Sequence, residues 1–400
     1  MKSLFPWFFV TDADYAKIWQ NGILTVDANV LLDLYRYHTS TRDALLAALE
    51  SFKGRIWISH QTASEFLRNR KSVIVDMTLD FERSSKPIDD LKKAILDAND
   101  RLKSHRVIPK STIEEFGSEL DAAITKISKA ISTEKSNAPD YLTTDQILDR
   151  LIKLLEGNIS GKPGDLDDAL KEATRRKSGK IPPGYMDKDK DGDRHAGDYF
   201  MWREILSFAK AKKMPVIFVT SERKEDWWEI KSGRTLGPRH ELLQEAQETS
   251  GQGFAIYHTD RFLEFYEKSK GQSASTEALA EIREIAESRE ASRLPAVSVV
   301  QEVLAADEQS NKGILHVRLA RPVRNFTGSG HFEPRLRHAP RLEVKVISTP
   351  EGVPDINIRA NTGTNYDFNA HIHAFGNGST LPPGEYLIEY SAICSDIAVS

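Results

Sequence analysis

Four acidic residues from distant parts of the chain each stand at or near the end of an apolar segment. Asp27 follows Ile23-Leu24-Thr25-Val26, and Glu222 follows Val216-Ile217-Phe218-Val219-Thr220-Ser221. Glu65 lies in Ser59-His60-Gln61-Thr62-Ala63-Ser64-Glu65-Phe66, and Asp198 in Gly197-Asp198-Tyr199-Phe200. Carboxylates are hard oxygen donors of the kind that Mg²⁺ and related ions select. Gathered in one low-dielectric crevice they repel one another, and a cation relieves the repulsion. Singly, three of them have plainer roles. Asp27 reads as an N-cap or Asx turn, Glu65 as a solvated helix residue, and Asp198 as a helix cap. The set is more specific than its members, because each occupies an equivalent place on one inferred sheet edge.

The elements that must position these acids alternate in type. Ile23 to Val26 reads as a strand, and Val30 to Tyr37 opens a helical pattern. Arg55 to Ile58 is a second strand candidate, running into Ser59 as an N-cap and a helix to about Val75. Tyr199 to Lys210 reads as a helix, Pro215 to Val219 and Phe254 to Tyr257 as strands, and Asp260 to Lys268 as a helix. Short apolar strands alternating with helices predict an α/β fold with a parallel sheet covered on both faces. In such a sheet ligands bind at the carboxyl ends of the strands, which is where Asp27 and Glu222 fall.

Residues 76–180 break the alternation. Apolar residues at spacings of three and four mark helices at Pro87 to Leu102, Thr112 to Ser132, Thr143 to Glu156 and Asp165 to Arg176. This stretch reads as a helical insertion within an α/β domain of residues 1–268. Residues 269–310 read as a linker and charged helix. Residues 311–400 read as a small β-sandwich-like domain, with strands at Ile314 to Leu319, Leu342 to Val346, Ile356 to Ile358 and Tyr386 to Tyr390.

Composition bounds the function. A formal net charge of -4 excludes a polycation that coats nucleic acid non-specifically, so any such contact is local. The single cysteine, Cys394, excludes an intramolecular disulfide and a Cys-based zinc site, and fits a reducing cytoplasm. The N-terminal apolar run is interrupted by Asp12 and Asp14 too early for a signal core, and no stretch approaches the roughly 18 apolar residues of a membrane span.

Val26-Asp27-Ala28-Asn29-Val30-Leu31-Leu32-Asp33, the Glu65 helix, Gly197 to Trp202, and Val219-Thr220-Ser221-Glu222-Arg223-Lys224-Glu225-Asp226-Trp227-Trp228 together resemble the PIN-like nuclease superfamily, in a bacterial branch with a helical insertion before the third acid. The resemblance covers roughly residues 20–268. It implies a nuclease using one or two Mg²⁺ or Mn²⁺ ions, with RNA the commoner substrate. It makes Asp27, Glu65 and Asp198 metal ligands, with Asn29 supporting the first. The family often has Asp where Glu222 stands, so either Glu222 or Asp226 is the fourth acid. Thr220 and Ser221 are expected to hydrogen-bond a phosphate or a water. Arg223 and Lys224 would neutralise the backbone, as would Arg68, Arg70 and Lys71 on the Glu65 helix. Arg175, Arg176, Lys177 and Lys180 form a further basic cluster, and for either cluster alone the plainer reading is a solvated helix face.

Other chemistries compete. Asp187-Lys188-Asp189-Lys190-Asp191-Gly192 with Asp198 in the twelfth place matches a calcium-loop spacing, but Pro182-Pro183-Gly184 stands where the incoming helix belongs. An acidic loop beside the four acids, bringing Asp193 or His195 near, is the preferred reading. A haloacid-dehalogenase-like phosphatase needs an Asp where Asn29 stands. A structure-specific DNA nuclease and a catalytically silent binding module remain as alternatives. The helical insertion or residues 311–400 could serve a protein partner. His371 and His373 share a strand face but lack a third ligand. The sequence is therefore read as a metal-dependent, cytoplasmic nuclease acting on RNA, in the manner of a bacterial toxin or defence effector.

Overall fold

The computed structural model of the chain describes residues 1–104, 107–186, 196–232, 234–293, 295–376 and 379–394. It divides into two compact units, Met1–Ala286 and Glu287–Ser400.

In the first unit α1 (Asp12–Asn21) begins with a reciprocal capping box between Thr11 and Asp14. It leads into β1 (Ile23–Val26), α2 (Ala28–Asp33) and α3 (Thr39–Glu50). Four helices follow: α4 (His60–Ser104), α5 (Lys110–Asn137), α6 (Gln146–Leu155) and α7 (Leu166–Gly179). The chain then forms α8 (Gly197–Lys212), β2 (Val216–Thr220), and a hairpin of β3 (Trp228–Lys231) with β4 (Arg234–Pro238). The unit closes with α9 (His240–Ser250), β5 (Phe254–His258), α10 (Thr259–Ser269) and most of α11 (Thr276–Arg293).

The sheet has the order β1-β2-β5, all parallel, with Val26 beside Val219 and Val219 beside Tyr257. Alternate side chains enter two different cores. Leu24, Val26, Ile217, Val219 and Ala255 pack with Leu31, Leu45 and Phe262 on one face. Val216, Phe218, Phe254 and Ile256 pack with Trp202, Ile205 and Trp227 on the other. Burial on both faces explains why these strands are continuous apolar runs. Each such side chain contributes roughly 1.5–3 kcal/mol by leaving water. The strands end together, so Asp27, the segment after Thr220, and His258 share one edge.

Several elements differ from the expectations. Arg55 to Ile58 is not a regular strand; it makes two parallel bridges, Leu24 with Ile56 and Ile58 with Ile159. The segment turns into α4 at once, so Ile58 hydrogen-bonds Asn158 and Ser160 of the insertion instead of extending along β1. The helix from Ser59 does not stop near Val75: α4 is continuous through Pro87, and α5 packs along it. The intervening residues are ordinary helix formers, and lateral packing tolerates the backbone hydrogen bond that the proline ring removes. α11 is more than a linker helix, because Ala278 and Ile282 are buried in the α/β core.

The second unit contains β6 (Val297–Ala306), β7 (Ser310–Leu319), β8 (Asn325–His331), β9 (Arg341–Ser348), β10 (Ile356–Asn361), β11 (Asp367–Ala374) and β12 (Gly384–Ile393). Two antiparallel sheets, β6-β7-β12-β9 and β10-β11-β8, share one core in which Leu315, Val317, Tyr386 and Ile388 join Phe326, Phe368 and Ile372. β6 starts before residue 311. Its Gln, Glu, Leu and Ala residues suit a helix, and pairing along β7 decides the matter. β8 escapes hydrophobic pattern reading because its inward places include Gly328 and Gly330. A Cβ at Gly330 would stand 2.5 Å from the Phe368 ring.

Candidate active site

Asp27 caps α2, and its carboxylate receives three donors. The Asn29 amide N–H reaches Oδ1 at 3.3 Å, Asn29 Nδ2 reaches Oδ2 at 3.2 Å, and Thr220 Oγ1 donates to Oδ2 at 2.9 Å. Thr220 Oγ1 also accepts the Glu222 N–H at 3.0 Å, which bends the chain after β2. The second hydrogen of the Asn29 amide goes to Glu222 Oε1 at 2.6 Å. Asn29 therefore bridges two acids that are far apart in sequence. Asp27 and Glu222 are 4% and 3% exposed, which makes their charge costly unless compensated.

For Glu222 compensation comes from Lys224. Its Nζ lies 3.4 Å from Glu222 Oε2 and 3.8 Å from Asp198 Oδ2, on a side chain itself nearly buried. Asp198, in the first turn of α8, also accepts Trp227 Nε1 at 3.2 Å. Trp228 Nε1 donates to the Glu222 carbonyl at 2.6 Å. The adjacent tryptophans thus hold one acidic segment each. They stood in the quoted motif without a role, and an indole pair directly after an acid was the signal available.

Glu65 reaches the same neighbourhood from α4. A Cβ built on Gly197 would stand 3.0 Å from Gln61 Nε2 and 3.9 Å from Glu65 Oε2, so α4 lies against the first turn of α8. Glu204, which the sequence reading missed, clamps this junction. It accepts the His60 and Gln61 N–H groups at 2.7 and 3.1 Å. Burial raises the pKa of its carboxyl, and the backbone donors oppose that rise.

Other expected residues face elsewhere. Asp226 is fully buried, and its Oδ2 accepts the Gly184 and Met186 N–H groups at 3.0 and 3.2 Å. It thereby holds the segment after Pro183. Ser221 Oγ lies 2.9 Å from Thr259 Oγ1, and Arg223 pairs with Asp260 at 3.5 Å; both turn toward α10. Arg70 is an ion-pair partner of Asp145, which also accepts the Tyr35 hydroxyl. Arg68 and Lys71 are exposed. Arg176 is buried against Glu172, Glu245 and the Pro182 carbonyl, and Arg175 grips Glu172. Those two arginines hold Glu172 well below its ordinary range, at about 2. The calcium-loop spacing of Asp187, Asp189 and Asp191, with Asp193 and His195, lies outside the described residues.

His258, at the end of β5 beside Thr220, was also missed. Its ring stacks on Trp228 at 3.7 Å, and burial, helped by Arg223, lowers its pKa to about 4.

Among the described residues no three acidic or histidine side chains converge to hold an ion as they stand. The acids meet in pairs, one pair bridged by an amide and one by an ammonium. Hard oxygen donors around a cation already in place are nevertheless a chemistry suited to Mg²⁺ or Mn²⁺.

The fold and site define a parallel α/β domain with an acidic crevice at the carboxyl edge of its sheet. The sequence model of one family, described as a PIN like domain, matches residues 23–242, and the chain belongs to that family. Membership points to a nuclease-type function, since PIN-like domains are typically metal-dependent nucleases that act on nucleic acid. No curated protein and no solved structure matches the chain. Among the described residues no helix is long and apolar enough to cross a membrane.

Proposed function

We propose that the chain is a divalent-metal-dependent endonuclease that hydrolyses phosphodiester bonds, with RNA as its substrate and a role as a cytoplasmic toxin or defence effector. The observation that carries this reading is the network Asp27–Asn29–Glu222–Lys224–Asp198, assembled from three separate chain segments within the family-matched region. Asp27, Asp198, Glu222 and Glu65 would hold Mg²⁺ or Mn²⁺. A bound ion supplies a stronger nucleophile from water and neutralises charge at the phosphate. Asn29 and Thr220 orient the Asp27 carboxylate, and the two tryptophans orient the Asp198 and Glu222 segments. Lys224 places a positive charge where a phosphate oxygen would approach.

The test compares wild type with Asp27→Asn and Asp198→Asn. Both variants should keep the wild-type circular dichroism and lose Mg²⁺/Mn²⁺-dependent cleavage. Sequencing the nucleic-acid ends produced on expression identifies the substrate. Specific RNA termini support the proposal, and nicked DNA supports the DNA-nuclease alternative. A wild type that binds no divalent ion and cuts nothing is the silent binding module.

A further inference from the structure

The outward face of the sheet β10-β11-β8 carries an unusual set of side chains. Alternation along the strands turns Phe326, Phe368 and Ile372 into the core and leaves the residues between them facing out. The register places His371 between Arg359 and Thr327, and His373 between Asn357 and Asn325. Thr327 Oγ1 lies 2.9 Å from His371 Nδ1, and Ser329 Oγ donates to Asn369 Oδ1 at 2.7 Å. No Lys and no Glu occupies an outward position on these three strands. The outer face of the other sheet exposes Lys312, Lys345, Glu343, Glu385 and Glu389 together with apolar Val300 and Ile347.

Phe375, which follows β11 on the outward alternation of His371 and His373, is 56% exposed. Asp367 brings a carboxylate to the other end of the same row and is hydrogen-bonded to Thr364 Oγ1. A surface of an arginine, two histidines, short hydrogen-bonding side chains and an open aromatic ring is complementary to phosphates, base edges and base faces. A protein partner would instead be expected to meet an apolar patch at the centre, and here the centre is polar. β11 is about 26 Å long, enough to run beside several nucleotides.

We propose that this face binds single-stranded nucleic acid, with Arg359, His371 and His373 taking phosphates and Phe375 stacking a base. The choice of ligand rests on the nuclease reading, but the binding is measured without cleavage. The experiment uses the full chain carrying Asp27→Asn and follows the fluorescence anisotropy of labelled RNA and DNA single strands of about 12 nucleotides. Two double variants are added to it: Arg359→Ala with His371→Ala, and His373→Ala with Phe375→Ala. Each should weaken binding about tenfold with unchanged circular dichroism. Lys345→Gln with Glu389→Gln on the other sheet should change nothing. Undiminished binding by both face variants would overturn the proposal, as would a parent that binds no single strand. If wild type cuts nothing yet the face variants lose binding, the nuclease reading fails and this one stands.

Discussion

Replacing Lys224 with methionine keeps the apolar stem and deletes one positive charge between the buried Glu222 carboxylate and the partly buried Asp198 carboxylate. At an effective dielectric of roughly 20, an ammonium attracts one carboxylate by about 5 kcal/mol across the 3.4 Å to Glu222 and another by about 4 kcal/mol across the 3.8 Å to Asp198. Desolvation of the lysine takes back much of this, and removing one partner of a buried ion pair costs about 3–5 kcal/mol in practice. Taking the lower figure, the melting temperature should fall by roughly 6–12 °C in EDTA. Thermal unfolding with and without Mn²⁺ is the assay. The ion should stabilise Lys224→Met more than wild type, because it relieves a repulsion that the lysine otherwise relieves. Lys224→Arg keeps the charge and should recover most of the loss in EDTA. A methionine variant that melts with wild type in EDTA, or gains no more from Mn²⁺, would refute the reasoning.

Two further predictions concern groups absent from the sequence reading. Glu204→Ala removes the acceptor of two N–H groups at the start of α4 and should cost about 1–2 kcal/mol in urea unfolding. It should also slow cleavage, because α4 carries Glu65; unchanged stability would show that the clamp is idle. His258 binds a proton near pH 6.5 in the unfolded chain and only near pH 4 in the folded one. Stability should therefore decline as pH falls from about 6.5 toward 4, by roughly 3 kcal/mol at most. His258→Phe, which can keep the stack on Trp228, should flatten the urea midpoint across that window. Parallel declines in both proteins would remove His258 as the cause.

Most of the α/β unit was legible because its strands are buried on both faces. Val216 to Thr220 and Phe254 to His258 are continuous apolar segments that local pattern alone delimits. The hairpin β3–β4 was not legible: Glu229, Ile230 and Lys231 are exposed, so no apolar alternation marks them. β8 hid behind inward glycines, and β6 behind helix-forming residues. In each case a partner strand supplies what the local sequence lacks.

The site divides in the same way. Residue type and position by themselves determined that Asp27, Asp198 and Glu222 are acids at the ends of apolar elements, and that Trp227 and Trp228 follow closely. Only the tertiary structure decided their partners. Sheet pairing brings Thr220 to Asp27, across nearly two hundred residues, and turns Asn29 toward both Asp27 and Glu222. Packing likewise commits Asp226 to the Gly184 backbone, Arg70 to Asp145, and Lys224 to two carboxylates. The reason is physical: a buried charge must find its partner in space, and sequence spacing does not record that partner across a fold.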